Sequence, residues 1–160
     1  RKMRERVPGV CDIETEDTPD GRLLLKFRND TFEDPFIDKF VSDGTIKMFA
    51  YLVLLHDPQP HPFLCVEEPE NQLYPKLLSA LAEEFREYAL RGGQVFVSTH
   101  SPDFLNAIEV DEVFWLEKNE AGFTDIRRAS DDPQIVDYMK DGDQMGYLWK
   151  QGLFGKADPR

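Results

Sequence analysis

The sequence predicts an α/β fold, a mostly parallel sheet with flanking helices and a β-hairpin near each end. Three observations predict it. Two short apolar runs, Phe63-Leu64-Cys65-Val66 and Val95-Phe96-Val97, read as strands, and each is followed by a helix start at Pro75 or Pro102. Strand and helix therefore alternate, which implies a parallel sheet with right-handed crossovers. Near the two ends, Asp17-Thr18-Pro19-Asp20-Gly21 and Lys118-Asn119-Glu120-Ala121 separate strand-like runs, as hairpin turns do.

Each element follows from its residues. Residues 10–16 and 22–28 form the first hairpin, and 29–40, with Asp, Glu and Pro among aromatics, reads as a loop. Residues 43–56 are apolar nearly all round, which predicts a helix buried on most sides. Ser42 or Asp43 caps its start, and Asp57-Pro58-Gln59-Pro60 ends it. The strand beginning at Phe63 is apolar on both faces and predicted to be covered on both, with Cys65 inside it as a small hydrophobe. From Pro75 the apolar positions Leu77, Leu78, Leu81, Phe85, Tyr88 and Ala89 follow three-four spacing until Gly92-Gly93 closes the helix. Glu83, Glu84 and Glu87 read as its solvated face.

Residues 94–98 form a second strand, and Ser101 with Pro102 starts a third helix. A closing hairpin is predicted from 111–117 and 122–128, with Trp115 in the core. From 131 onward short helices are expected, with Trp149, Leu153 and Phe154 packing on the body. We read 1–160 as one domain, with a hairpin at 10–28, a central part at 41–110 and a closing part at 111–160.

A chain of 160 residues with 41% hydrophobic content is long enough to bury a core. No apolar stretch approaches the roughly 20 residues of a membrane span. The basic start Arg1-Lys2-Met3-Arg4-Glu5-Arg6 has no apolar segment behind it, so no signal peptide is read there and a cytoplasmic location is expected. Cys11 and Cys65 make no disulfide framework. A net charge of −12 argues against a broad contact with nucleic-acid phosphates. His56 and His61 bracket a Pro-rich turn with no third ligand near in sequence, so no metal site is read there.

Function points to three segments. Glu67 and Glu68 are adjacent carboxylates at the end of an apolar strand, where ligands of parallel sheets collect. Two such charges repel, and a cation or a polarised water is the usual reason to place them together. Strand alternation sends their side chains apart, one toward a metal and the other toward a nucleophile. Val41-Ser42-Asp43-Gly44-Thr45 offers hydroxyls and free backbone amides at a helix N-terminus, which favours phosphate. Ser98-Thr99-His100-Ser101-Pro102 places an imidazole between a strand end and a helix start, where it can donate to a phosphate oxygen.

The order Ser-Asp-Gly-Thr, an apolar strand ending Glu-Glu-Pro-Glu-Asn, then Ser-Thr-His-Ser-Pro resembles the C-terminal half of an ABC-type ATPase domain of the SMC and RecF-like class. Within that class it looks closest to stand-alone predicted bacterial ATPases with an AAA-type label. The likeness runs from about 10 to 155. It implies the C-terminal lobe of a three-layer P-loop NTPase that binds and hydrolyses ATP with Mg²⁺. Ser42, Asp43, Gly44 and Thr45 would be the signature, which closes over the γ-phosphate of a nucleotide held by the opposite subunit. Glu67 would hold Mg²⁺ through water, Glu68 would polarise the attacking water, and His100 would be the switch histidine facing the γ-phosphate. Pro69 to Leu73 would be the D-loop at a homodimer seam. The dimer would drive a partner activity, on DNA or in defence, involving DNA or a nuclease.

Three residues depart from the family pattern. The metal-side acid is Glu67 instead of Asp, Tyr74 stands where relatives often carry His, and Val41 replaces the usual Leu. No Gly-x-x-x-x-Gly-Lys-Ser/Thr occurs in the 160 residues. The phosphate-cradling Walker A loop is therefore expected in an N-terminal lobe that precedes this segment, and the segment by itself is expected to hydrolyse essentially no ATP. Two other readings stand beside this one. Asp141-Gly142-Asp143 with a Glu after a strand would suit a metal-dependent nuclease of the Toprim kind, although a helix-like stretch precedes the pair. A module that keeps the fold but not hydrolysis is the other.

Overall fold

The computed structural model describes residues 1–155 and 157. It is a mixed α/β structure with two compact units, Arg1–Val97 and Ser98–Arg160.

The first unit opens with helix α1 (Lys2–Arg6), followed by an antiparallel hairpin of β1 (Asp12–Asp17) and β2 (Leu23–Arg28). Its register runs from Asp12 opposite Arg28 to Asp17 opposite Leu23. Thr18 closes the turn through its amide and hydroxyl, both donating to the Arg22 carbonyl. Phe27 is buried and meets Phe49 edge-on, ring centroids 5.9 Å apart. The segment read as a loop holds a short strand, β3 (Phe36–Ile37), paired with β2. Two residues are too few to show a period, so only the partner strand defines it.

Helix α2 (Asp43–Leu55) packs with α3 (Pro75–Leu90). Buried Met48, Leu52 and Leu55 of α2 and Leu78, Leu81, Phe85 and Tyr88 of α3 form the core. Fully burying a Leu or Phe side chain stabilises by about 1.5–3 kcal/mol. The expectation for α2 needs correction, since Val53 is 56% exposed and only one side of the helix is buried.

Glu84 also departs from expectation. Instead of facing solvent it is 0% exposed. Lys2 Nζ and Arg6 Nε donate to its Oε1 at 3.0 and 2.8 Å, and His56 Nε2 lies 2.7 Å from Oε2. Burial would push the Glu84 carboxyl up, but hydrogen bonds from Lys2, His56 and Arg6 outweigh it and hold the carboxyl below its ordinary range. Lys2 also reaches Glu87 and Arg6 reaches Glu83, so α1 is tied to α3 by charge.

Strands β4 (Phe63–Glu67) and β5 (Gln94–Ser98) pair in parallel. They are the parallel part of the described sheets; the other strands belong to antiparallel sheets, so the mostly parallel sheet expected from sequence is not seen. Nor is β4 covered on both faces. Phe63 and Phe96 are 51% and 53% exposed and lie 5.3 Å apart between ring centroids, and Cys65 is exposed on the same face as Phe63. An apolar run shows that a strand can be covered on both sides, and here its own unit covers one.

In the second unit, α4 (Pro102–Leu105) precedes an antiparallel hairpin of β6 (Phe114–Lys118) and β7 (Thr124–Arg128). Helices α5 (Pro133–Lys140) and α6 (Met145–Lys150) follow. Trp115 joins Leu105, Ile135, Met145, Leu148 and Phe154 in its core, with Trp149 and Leu153 packed alongside. Gly146 lets α6 approach α4 closely, because a Cβ there would lie 2.1 Å from the Pro102 carbonyl oxygen. Among the described residues no helix is long and apolar enough to cross a membrane.

Candidate functional site

The first unit brings together two of the three segments singled out in the sequence. Helix α2 starts at Ser42, whose hydroxyl accepts from the Thr45 amide at 3.2 Å and lies 2.9 Å from the Thr45 hydroxyl. That bond satisfies one of the amides that a helix start leaves free. Gly44 follows, and a Cβ there would lie 2.7 Å from the carbonyl oxygen of Gln72. The chain after β4 is thus laid directly against the first turn of α2. Only glycine at position 44 admits so close an approach without a shift of backbone.

Lys47, one turn further along α2, donates to the Asn71 carbonyl at 2.7 Å. Residues 68–72 are pinned from a second point by this bond. They form a tight turn in which the Asn71 amide donates to the Glu68 carbonyl at 3.2 Å and the Leu73 amide to Glu70 at 3.0 Å. Glu68 and Gln72 at its ends have φ of +43° and +66°. A non-glycine residue held in this region costs on the order of 1–3 kcal/mol and persists where its surroundings over-determine it. Such strain concentrates at functional sites.

The adjacent carboxylates have different environments. Glu67 closes β4 on the same open face as Phe63 and Cys65, and is exposed. Among the described residues it makes no hydrogen bond or ion pair. Glu68, already outside the strand, is half-buried, and its Oε2 accepts from Asn71 Nδ2 at 2.8 Å. Because the strand ends at Glu67 and Glu68 is left-handed, strand alternation does not set the direction of the Glu68 side chain. Glu70 lies near the Tyr51 hydroxyl, which burial first and this negative charge second push above its usual range.

An open cleft of about 950 Å³ lies where the N-termini of α2 and α3 meet. Ser42, Asp43, Gly44 and Thr45 line it from one side, and Tyr74, Pro75 and Lys76 from the other. Both helix starts carry partial positive charge, which favours an anion, while Asp43 opposes it. Arg6 reaches the same cleft. Lys76 makes no ion pair among the described residues. Its position escaped the sequence reading, although a lysine in the first turn after Pro75 is visible there. Glu67 and Glu68 are not among the residues lining the cleft.

His100 belongs to the second unit, exposed, in the turn between β5 and α4. Thr99 and Ser101 order that turn: the Ser101 amide donates to the Thr99 hydroxyl at 3.0 Å, and the Ser101 hydroxyl caps α4 through the Phe104 amide at 3.3 Å. Asp141 and Asp143 flank Gly142 just after α5, so no strand leads into that acidic pair.

Glu67 suits a hard cation held with few protein ligands. Among the described residues no three His, Cys, Asp or Glu side chains gather as a metal cage. Mg²⁺ in nucleotide sites takes one or two carboxylates, with water and substrate phosphates completing the shell. A single unpaired carboxylate at a strand end fits that pattern.

A solved chain described under "ATP-driven dimerization and DNA stimulated activation of SMC ATPases" has a similar fold, with a TM-score of 0.61 at 14% identity. The match covers 89% of this chain and 88% of that one. No curated protein matches. Residues 11–106, more than half of the chain, match the sequence model of the family described as "AAA domain, putative AbiEii toxin, Type IV TA system". The chain therefore belongs to this AAA domain family of P-loop ATPases.

Proposed function

We propose that this chain is the C-terminal lobe of an ABC-type ATPase head, that it binds and hydrolyses ATP when a phosphate-loop lobe completes it, and that two copies sandwich the nucleotide. One observation carries the reading. The segment bearing the two carboxylates folds onto the first turn of α2, with Glu68 held left-handed at the end of an apolar strand. Family membership and the fold shared with an SMC ATPase support it.

In this reading Glu68 accepts a proton from the attacking water, and its half-burial limits competing solvent. Glu67 would hold Mg²⁺ through water, and the ion when bound neutralises charge on the phosphates. Ser42, Asp43, Gly44 and Thr45 present the start of α2 to the γ-phosphate of the opposite subunit's nucleotide. That assignment agrees with a cleft that the two carboxylates do not line, since signature and acids then serve different nucleotides. His100 would face the γ-phosphate. The open aromatic face of β4 and β5 would receive the Walker A lobe of the same protein. The dimer would drive a partner activity on DNA or in defence.

ATP turnover with the phosphate-loop lobe present is the test. Glu68→Gln is expected to lower kcat by about 10²–10⁴-fold, the usual contribution of a general base, while nucleotide-dependent dimerisation persists. Unchanged turnover rejects the assignment of the base. DNA cleavage lost on Asp141→Asn would favour the nuclease reading, and an intact dimer without turnover in the unaltered protein would favour the non-hydrolysing module.

A further inference from the structure

Asn71 stands at the crossing of two contacts that the proposed chemistry does not use. Its side-chain Nδ2 donates to Glu68 Oε2 at 2.8 Å. Its carbonyl accepts from Lys47 Nζ at 2.7 Å. One residue thus grips the carboxylate with its side chain and α2 with its backbone. We infer that Asn71 is a positioning residue for the Glu68 carboxylate, and that Lys47 fixes Asn71 in place; the inference rests on Glu68 acting as the base.

The physical case begins with the backbone. A left-handed glutamate one residue past a strand has no regular neighbour to set its side-chain direction. The amide of Asn71 supplies that direction. It donates to one oxygen of the carboxylate, which is the arrangement of a base aligned by a third group. A neutral donor suits this task. An aspartate at 71 would repel the carboxylate, and an alanine would remove the hydrogen bond that aligns it.

The anchor is equally specific. Helix α2 has 13 residues, and its buried side packs on α3, so a lysine projecting from it is a fixed support. Lys47 lies 5.8 Å from the Tyr51 ring centroid, in cation–π range. Gln72, beside Asn71, abuts Gly44. The turn is therefore gripped by α2 on both sides of the peptide linking Asn71 and Gln72, and the amide aimed at Glu68 inherits the rigidity of the helix.

The bland account makes Asn71 an ordinary turn residue, and the test separates the two. A first readout needs no turnover. In NMR spectra of the chain, Glu68→Gln should move the Asn71 side-chain amide signals while leaving the backbone amides of Leu81 and Phe85 unmoved; unmoved Asn71 signals overturn the contact.

The second readout is kinetic, on the protein with its phosphate-loop lobe. Misplacement of a reacting group by about 1 Å can cost 10²-fold, so Asn71→Ala is expected to lower kcat by about 10–100-fold with KM for ATP within about twofold. Asn71→Gln, which keeps the amide, should recover part of the loss, and Lys47→Met should lower kcat where Lys47→Arg restores it. Combining Asn71→Ala with Glu68→Gln should lower kcat no further than Glu68→Gln alone, because two residues acting as one unit are not additive. A merely structural turn residue would add its effect to any background, and that additive outcome rejects the inference. Should Asn71→Ala fail to fold, Asn71→Gln and Lys47→Met carry the same comparison. If Glu68→Gln abolishes turnover while Asn71→Ala does not touch kcat, the positioning role falls alone. If Glu68→Gln leaves turnover intact, base and positioning role fall together.

Discussion

Glu84 sets the terms on which α1 is held. Its carboxylate is fully buried and receives Lys2, Arg6 and His56. Removing the buried carboxylate takes one acceptor from Lys2 and Arg6, which keep Glu87 and Glu83, and one from His56, so Glu84→Ala should cost about 1–3 kcal/mol, read from urea unfolding. The acid dependence has a definite sign. With its folded-state value held below the ordinary 4.5, Glu84 contributes stability above that pH and loses it as pH falls through the lower value. Lys2 is raised above 10.5 by its hydrogen bonds to Glu87 and Glu84, so its contribution is complete below that pH and is lost as pH rises through the raised value. A pH series of thermal midpoints should therefore fall below pH 4.5 as Glu84 is protonated. Glu84→Gln should flatten part of the acid arm. In sequence Glu84 reads as part of the solvated face because it is charged, although 84 lies three after Leu81 and four before Tyr88, on the apolar stripe. The three basic partners were not legible, because two come from a helix some eighty residues away. Gly44 is the other residue whose identity the packing dictates. Gly44→Ala drives a methyl against the Gln72 carbonyl and should destabilise by about 1–3 kcal/mol while displacing the 68–72 turn.

Among elements, the helices were more legible than the sheet. Ser42 as cap, Pro75 and Pro102 at first helical positions and the three-four spacing of α3 all depend on local chemistry, and the structure has each of them. Strand environment depends on what lies across the face, which no local pattern encodes. Hence Phe63-Leu64-Cys65-Val66 read as covered on both sides, whereas one face is open. The all-round apolar α2 misled in the same way. A pair of substitutions exposes the difference. Leu81→Ala, at a position 0% exposed, should cost about 2–5 kcal/mol, whereas Phe63→Thr on the open face should cost no more than about 1 kcal/mol in this chain. Denaturant midpoints of the two variants decide it, and a Phe63→Thr loss equal to that of Leu81→Ala would mean that the face is packed.

At the scale of the molecule, charge limits what the chain does unaided. With a net −12, and with basic residues such as Lys2, Arg6 and Arg28 paired with acids, it lacks a field that would hold a phosphate backbone. Fluorescence anisotropy with duplex DNA at about 0.15 M salt should show no binding of the chain alone at micromolar protein, where non-specific binders have Kd of about 10⁻⁴–10⁻⁶ M. Binding with a steep salt slope would contradict this. The candidate site divides in legibility along the same line as the fold. Ser42 to Thr45 with Glu67 and Glu68 could be picked out because carboxylates at a strand end and hydroxyls at a helix start are local signals. The turn that carries Asn71 onto Lys47 is a tertiary contact, visible only once α2 and the strand end are placed side by side.

The exposed sulfur of Cys65 has one practical consequence. Cys11, by contrast, has its thiol pushed up by partial burial and by a hydrogen bond with Asp30, so it offers less of the reactive thiolate. A maleimide dye should accordingly modify position 65 first. The extent of labelling then serves as a native gauge of whether anything has come to rest on the aromatic side of the strand pair, read in a gel before any assay of turnover is run.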